Sequence, residues 1–130
     1  MIKVAASGYF NPLHKGHVEY LEKAKSLGDY LVVIVNSDHQ RALKGSKEFM
    51  KEDERMMIVK ALRCVDEVVL AIDTDGTVCE SLKLIKPNIF AKGGDRFSTE
   101  IPEAKVCLDL GIIMTDGLGE KIQSSSWLLK

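Results

Sequence analysis

IKVAASGYFNPLHKGHVEYLEKAKSLG, residues 2–28, is a strand, a loop and a helix in immediate succession. Ile2–Ser7 is apolar with little polar alternation, as in a parallel strand buried on both faces. Val18–Leu27 places Val18, Leu21, Ala24 and Lys25 in helical register, and Gly28 supplies the stop. The junction holds Gly8, which permits close backbone approach, Pro12, which stiffens the loop, and His14-Lys15-Gly16-His17. Two of the chain's 3 histidines stand here, around a glycine. With this composition H-x-G-H is expected by chance only about 0.005 times, so it counts as a signal. Two imidazoles and free backbone N–H groups at a strand-to-helix junction make a site for phosphate.

The same alternation continues outward. Strands are expected at Ile2–Ser7, Tyr30–Asn36, Glu67–Ile72, Asn88–Ala91 and Ile112–Thr115, and helices at Val18–Leu27, Lys51–Arg63, Thr77–Ile85 and Glu103–Leu110. Such β-α-β-α order implies an α/β fold, a parallel five-stranded sheet with helices on both faces. Right-handed crossovers then gather the carboxyl ends of the strands, where ligands of such folds bind. The polar stretch His39–Asp53, with His39, Arg41, Lys44, Lys47 and Lys51, is expected to be a mobile loop over the sheet edge.

At 130 residues the chain fits a single domain, 1–130, with one core. A formal net charge of −1 gives no reason to expect nucleic acid or an anionic membrane as partner. No apolar run approaches the roughly 20 residues that span a bilayer, and the N-terminus enters a strand directly, without room for a signal peptide. Cys64, Cys79 and Cys107 are odd in number and form no C-x-x-C pair, as expected of reduced cysteines in a cytoplasmic protein. A dehydrogenase of the G-x-G-x-x-G type and a P-loop kinase are disfavoured, because neither glycine motif is present.

Further polar clusters follow the strands. Asn36-Ser37-Asp38 ends the second strand, and Leu43-Lys44-Gly45 lies just beyond. Glu52-Asp53-Glu54-Arg55 opens a helix with acidic residues, favourable against its dipole. Lys92-Gly93-Gly94-Asp95 follows the fourth strand, with glycines that admit a ligand close to the backbone. Ser124-Ser125-Ser126 precedes an apolar segment, as a helix N-cap and anion site would.

With these motifs in this order, the chain resembles the HxGH nucleotidyltransferase superfamily, the cytidylyltransferase-like proteins. Lys92-Gly-Gly-Asp95 is similar to the domain that adenylylates heptose phosphates, and the single-domain length to glycerol-3-phosphate cytidylyltransferases. The resemblance implies the Rossmann-like three-layer α/β/α nucleotidyltransferase fold. It implies an enzyme that joins the NMP part of ATP or CTP to a small phosphorylated sugar or polyol and releases pyrophosphate. His14, His17 and Lys44 would be catalytic. Gly8, Tyr9, Phe10, Asn11, Gly16, Lys92, Gly93, Gly94, Asp95, Ser124, Ser125 and Ser126 would bind the nucleotide. Asp38 and Arg55 would bind the acceptor, Arg55 through its phosphate, although a surface salt bridge is an equal reading of that arginine. Mg²⁺ would ride on the NTP phosphates, without a protein ligand set, and the resembled enzymes suggest a homodimer. A non-catalytic nucleotide-binding module is the alternative from another class.

Overall fold

The computed structural model describes residues 1–45, 47, 50–93 and 102–118. Its elements are β1 (Lys3–Gly8), α1 (Lys15–Lys25), β2 (Tyr30–Val35), α2 (Asp38–Lys44), α3 (Glu52–Lys60), β3 (Glu67–Leu70), α4 (Cys79–Ile85), β4 (Ile89–Gly93), α5 (Pro102–Leu110) and β5 (Ile113–Leu118). The five strands form one sheet in the order β3-β2-β1-β4-β5. All four pairings are parallel, with Ala5 opposite Val32 on one side and Phe90 on the other.

The apolar strand residues serve two cores by simple alternation. Val4, Ala6, Val33 and Val35 point to the face covered by α1 and α3, where Tyr20, Leu21, Ala24 and Val59 are buried against them. Ala5, Ile34 and Phe90 point to the opposite face and pack on Val78, Leu82 and Cys107, from α4 and α5. The result is a three-layer α/β/α structure, as the strand pattern implied. No helix among the described residues is long and apolar enough to cross a membrane.

One expectation is corrected. Part of the stretch read as a loop over His39–Asp53 is helical, since α2 runs over Asp38–Lys44. Its N-cap, Ser37, accepts the Gln40 amide on its hydroxyl, while the Gln40 side chain accepts the Ser37 amide. This S-x-x-Q capping box starts a polar helix that lacks an apolar stripe of its own. Gly45, at φ +80°, ends it in the left-handed conformation.

Strand order reverses between β1 and β4, and the two strands stop pairing after Ala6 and Ala91. The buried Tyr20 hydroxyl reaches into this parting from α1. It donates to the Ala91 carbonyl at 2.6 Å and accepts the Ser7 amide at 3.3 Å. Burial pushes its pKa up, so it stays a phenol. Tyr20→Phe keeps the ring and deprives both backbone groups of that partner. The expected loss is about 1–3 kcal/mol of unfolding free energy, measured by urea denaturation. An unchanged midpoint would mean that the hydroxyl is not what satisfies this crevice.

Candidate active site

The H-x-G-H stretch is built as a reciprocal helix cap. His14 is the N-cap of α1, and its Nδ1 accepts the Gly16 amide at 3.1 Å. His17, at the third helical position, accepts the His14 amide on its own Nδ1, also at 3.1 Å. Two imidazoles thus do what Ser and Glu do in a capping box. A ring nitrogen that accepts a hydrogen bond carries no proton, so each ring holds its proton on Nε2. The rings stack with centroids 3.8 Å apart. Burial, and then the neighbouring His14, push the His17 pKa down to about 4. The motif therefore offers two neutral Nε2–H donors at the positive end of a helix, rather than a pair of cations.

Phe10 holds this pair in place. It is fully buried, with φ +51°, an unusual backbone conformation for a side-chain-bearing residue. The turn folds its ring back under β1 and sets its edge against His17, centroids 5.0 Å apart. A Cβ on Gly8 would lie 2.8 Å from the Phe10 ring tip. Gly8 thus makes room for the Phe10 ring. Asn11 donates from Nδ2 to the Lys47 carbonyl at 2.7 Å and accepts the Met50 amide on Oδ1 at 3.0 Å. It fastens the α2–α3 connector to the H-x-G-H loop.

Arg55 lies deeper than the sequence reading expected. It was expected on the acceptor phosphate or in a surface salt bridge, and it is fully buried. Nη1 donates to the carbonyls of Tyr9 and Asn36, both at 2.7 Å, and Nε to that of Met50 at 3.1 Å. Nη2 pairs with Asp38 Oδ1 at 2.8 Å. The guanidinium is thus buried and committed to four acceptors within the protein. Asp38 is committed with it, since its Oδ2 also accepts the Glu52 amide. Burial works to raise the Asp38 pKa, but the Arg55 and Glu52 hydrogen bonds outweigh this and hold it below its ordinary 3.8.

Beside the histidine loop, over the strand ends, is a cavity of about 560 Å³. Ser7, Gly8 and Tyr9 form one wall, Asn36, Gln40 and Leu43 another, and Gly76, Val78, Lys92 and Glu103 complete it. Gln40 was not singled out by sequence, yet it shapes the site. Its buried amide donates to the carbonyls of Asp75 and Thr77, both at 2.7 Å, and draws that segment against α2. Glu103, also missed, accepts the Val78 amide at 3.0 Å. The S-x-x-Q spacing could have revealed Gln40; nothing local marks Glu103.

Of the other expected residues, Gly16 is buried in α1, Lys92 and Gly93 end β4, and Lys44 occupies the last position of α2. Gly94, Asp95, Ser124, Ser125 and Ser126 lie outside the described residues. Among the described residues no group of three or more His, Cys, Asp or Glu could hold a metal ion.

The model of the cytidylyltransferase-like family matches residues 5–116. The chain belongs to this family. It is a nucleotidyltransferase, as its family and relatives are. It is 35% identical over 111 residues to an FAD synthase of Picrophilus torridus, covering 85% of this chain and 78% of that protein. It is 49% identical over 94 residues to the bifunctional protein HldE of Pelobacter propionicus, covering 71% of this chain and 19% of that one. The chain thus spans about a fifth of that bifunctional relative. A lipopolysaccharide core biosynthesis protein of Thermoplasma volcanium superposes with a TM-score of 0.74 at 32% identity, covering 90% of this chain and 94% of that one.

Two outcomes follow from the geometry. Nitrogen-15 NMR of the imidazoles at pH 7 should show His14 and His17 protonated on Nε2. Because its pKa is lowered, His17 should stay neutral as pH falls and gain its second proton only near pH 4. Titration of His17 near pH 6.5 would contradict the reciprocal cap. Arg55→Ala should cost about 3–5 kcal/mol of stability, since it strands a carboxylate and three carbonyls. Arg55→Lys should not restore it, because one ammonium cannot serve acceptors spread around a planar fork. Thermal denaturation decides, and a stable Lys variant would overturn the assignment.

Proposed function

We propose that the chain transfers the adenylyl group of ATP to the phosphate of a small sugar phosphate and releases pyrophosphate. The observation that carries this reading is the pair of neutral Nε2–H donors beside a cavity at the strand-order reversal. A phosphate oxygen of the acceptor attacks the α-phosphorus, the bond to the β-phosphate breaks, and pyrophosphate leaves. The nucleophile is already an anion, so no covalent enzyme intermediate is needed. The barrier lies in aligning two anions and stabilising charge on the transferred group.

His14 and His17 donate from Nε2 to oxygens of the α- and neighbouring phosphates, where charge grows in the transition state. Neutral donors suit this task, because they need not shed a proton when pyrophosphate departs. Lys44 and Ser124–Ser126 are assigned to the departing pyrophosphate, and Lys92 to the nucleotide. Bound through the triphosphate, Mg²⁺ would supply charge neutralisation there.

The HldE relative and the lipopolysaccharide-related neighbour support a sugar phosphate, and the FAD synthase relatives support FMN as a second reading. FAD contains an adenylyl group, which favours ATP over CTP. CTP with glycerol 3-phosphate is the third pairing, from the sequence resemblance alone. Pyrophosphate release with ATP and CTP, crossed against sugar 1-phosphates, FMN and glycerol 3-phosphate, separates them. His14→Ala or His17→Ala should lower kcat by roughly 10²–10³-fold. Unchanged turnover in both variants would remove the histidines from the mechanism.

A further inference from the structure

Glu103 is a carboxylate in an unusual position. It stands on α5, is 7% exposed and lines the cavity. Its Oε2 accepts the Val78 amide, which anchors it to the segment before α4. Its Oε1 has no hydrogen-bond or ion-pair partner among the described residues. Oε1 is thus left available, on the cavity side, to accept a hydrogen bond from a molecule that enters it.

We infer that Glu103 Oε1 accepts a hydrogen bond from a hydroxyl group of the acceptor and so selects it; this rests on the transferase reading above. The cavity shares Gly8 and Tyr9 with the histidine loop, but His14 and His17 are not part of its wall. A molecule seated there lies beside the phosphate donors, where an attacking acceptor belongs. A carboxylate disfavours an anionic group brought directly against it, so phosphate groups are left to the Lys92 side of the same wall and to the histidines. It accepts from the neutral, hydroxylated body of a molecule whose single phosphate faces the histidines. The cap to Val78 fixes the carboxylate, so the distance between the two ends of the acceptor is set by the fold.

Glu103→Gln is the informative variant. Its carbonyl oxygen keeps the Val78 cap, while the free position changes from an acceptor to a donor. Binding is read by calorimetry with sugar 1-phosphates, glycerol 3-phosphate and FMN, in the presence of a non-hydrolysable ATP analogue, so turnover is not required. Affinity for the acceptor that binds the wild type should fall roughly 10–100-fold, while affinity for the ATP analogue stays within about twofold. In steady state the loss should appear in the acceptor's KM rather than in kcat. A second readout is independent of the variant's stability. Wild-type protein should bind a deoxy analogue of the acceptor more weakly, and the same deletion should cost Glu103→Gln little. Loss of ATP-analogue affinity alone would move the contact to the nucleotide and overturn the proposal. So would unchanged acceptor affinity, or fully additive losses. Binding of a panel acceptor without pyrophosphate release by wild-type protein would instead count against the transferase reading.

Discussion

One buried guanidinium holds together the pieces from which this site is made. Tyr9 belongs to the loop after β1, Asn36 to the end of β2, Asp38 to the start of α2, and Met50 to the connector before α3. Arg55 donates to all four. These segments are exposed to the pull of solvent at the strand ends, where sheet hydrogen bonding stops. Their carbonyls would otherwise need water or a ligand. A lysine offers a point charge, whereas the fork of arginine matches several acceptors in one plane. Asp38 and Glu52 add a second tie, each accepting the other's backbone amide, so α2 and α3 begin at a common point.

Legibility from sequence followed the source of the ordering force. The strands were legible because burial on both faces demands consecutive Val, Ile and Ala, and β1 and β2 appear within a residue or two of expectation. The helices α1, α3, α4 and α5 were legible from apolar spacing. α2 was not, because hydrogen bonds to Ser37 and Gln40 order it rather than an apolar face. Arg55 shows the opposite failure. Its neighbours Glu52, Asp53 and Glu54 look like an exposed helix start, and no local pattern tells that its side chain crosses to β1 and β2. Long-range hydrogen bonding by a single polar residue leaves no periodic trace. Glu103 was hidden for the same reason, its partner being Val78, far away in the chain.

The histidine motif was legible as a candidate site, but its geometry depends on something spacing alone does not reveal. Residues three apart at a helix start can cap each other, and here both imidazoles do so through Nδ1. The cap has two consequences. It satisfies two amides at the helix start, which favours the fold, and it fixes the tautomer, which sets the chemistry. Phe10 then fixes the rings by an edge contact, and Gly8 makes room for Phe10. The glycine, the aromatic residue and the histidines are therefore one mechanical unit, although they look like separate motif positions.

This coupling bears on how one scaffold accommodates different acceptors. The histidine unit is set by α1, β1 and Arg55, none of which has to move when the cavity wall changes. The cavity wall farther out is supplied by other means: Gln40 draws in the segment of Asp75 and Thr77, Glu103 caps Val78, and Asp73 caps α4 by accepting the Glu80 and Ser81 amides. These ties join α2, α4 and α5 without passing through the histidines. Substitution in the outer wall can thus reshape the cavity while the two imidazoles stay in place. Relatives as different in name as an FAD synthase and the bifunctional protein HldE are compatible with such a division, in which the histidine unit and the outer wall rest on separate hydrogen-bond networks.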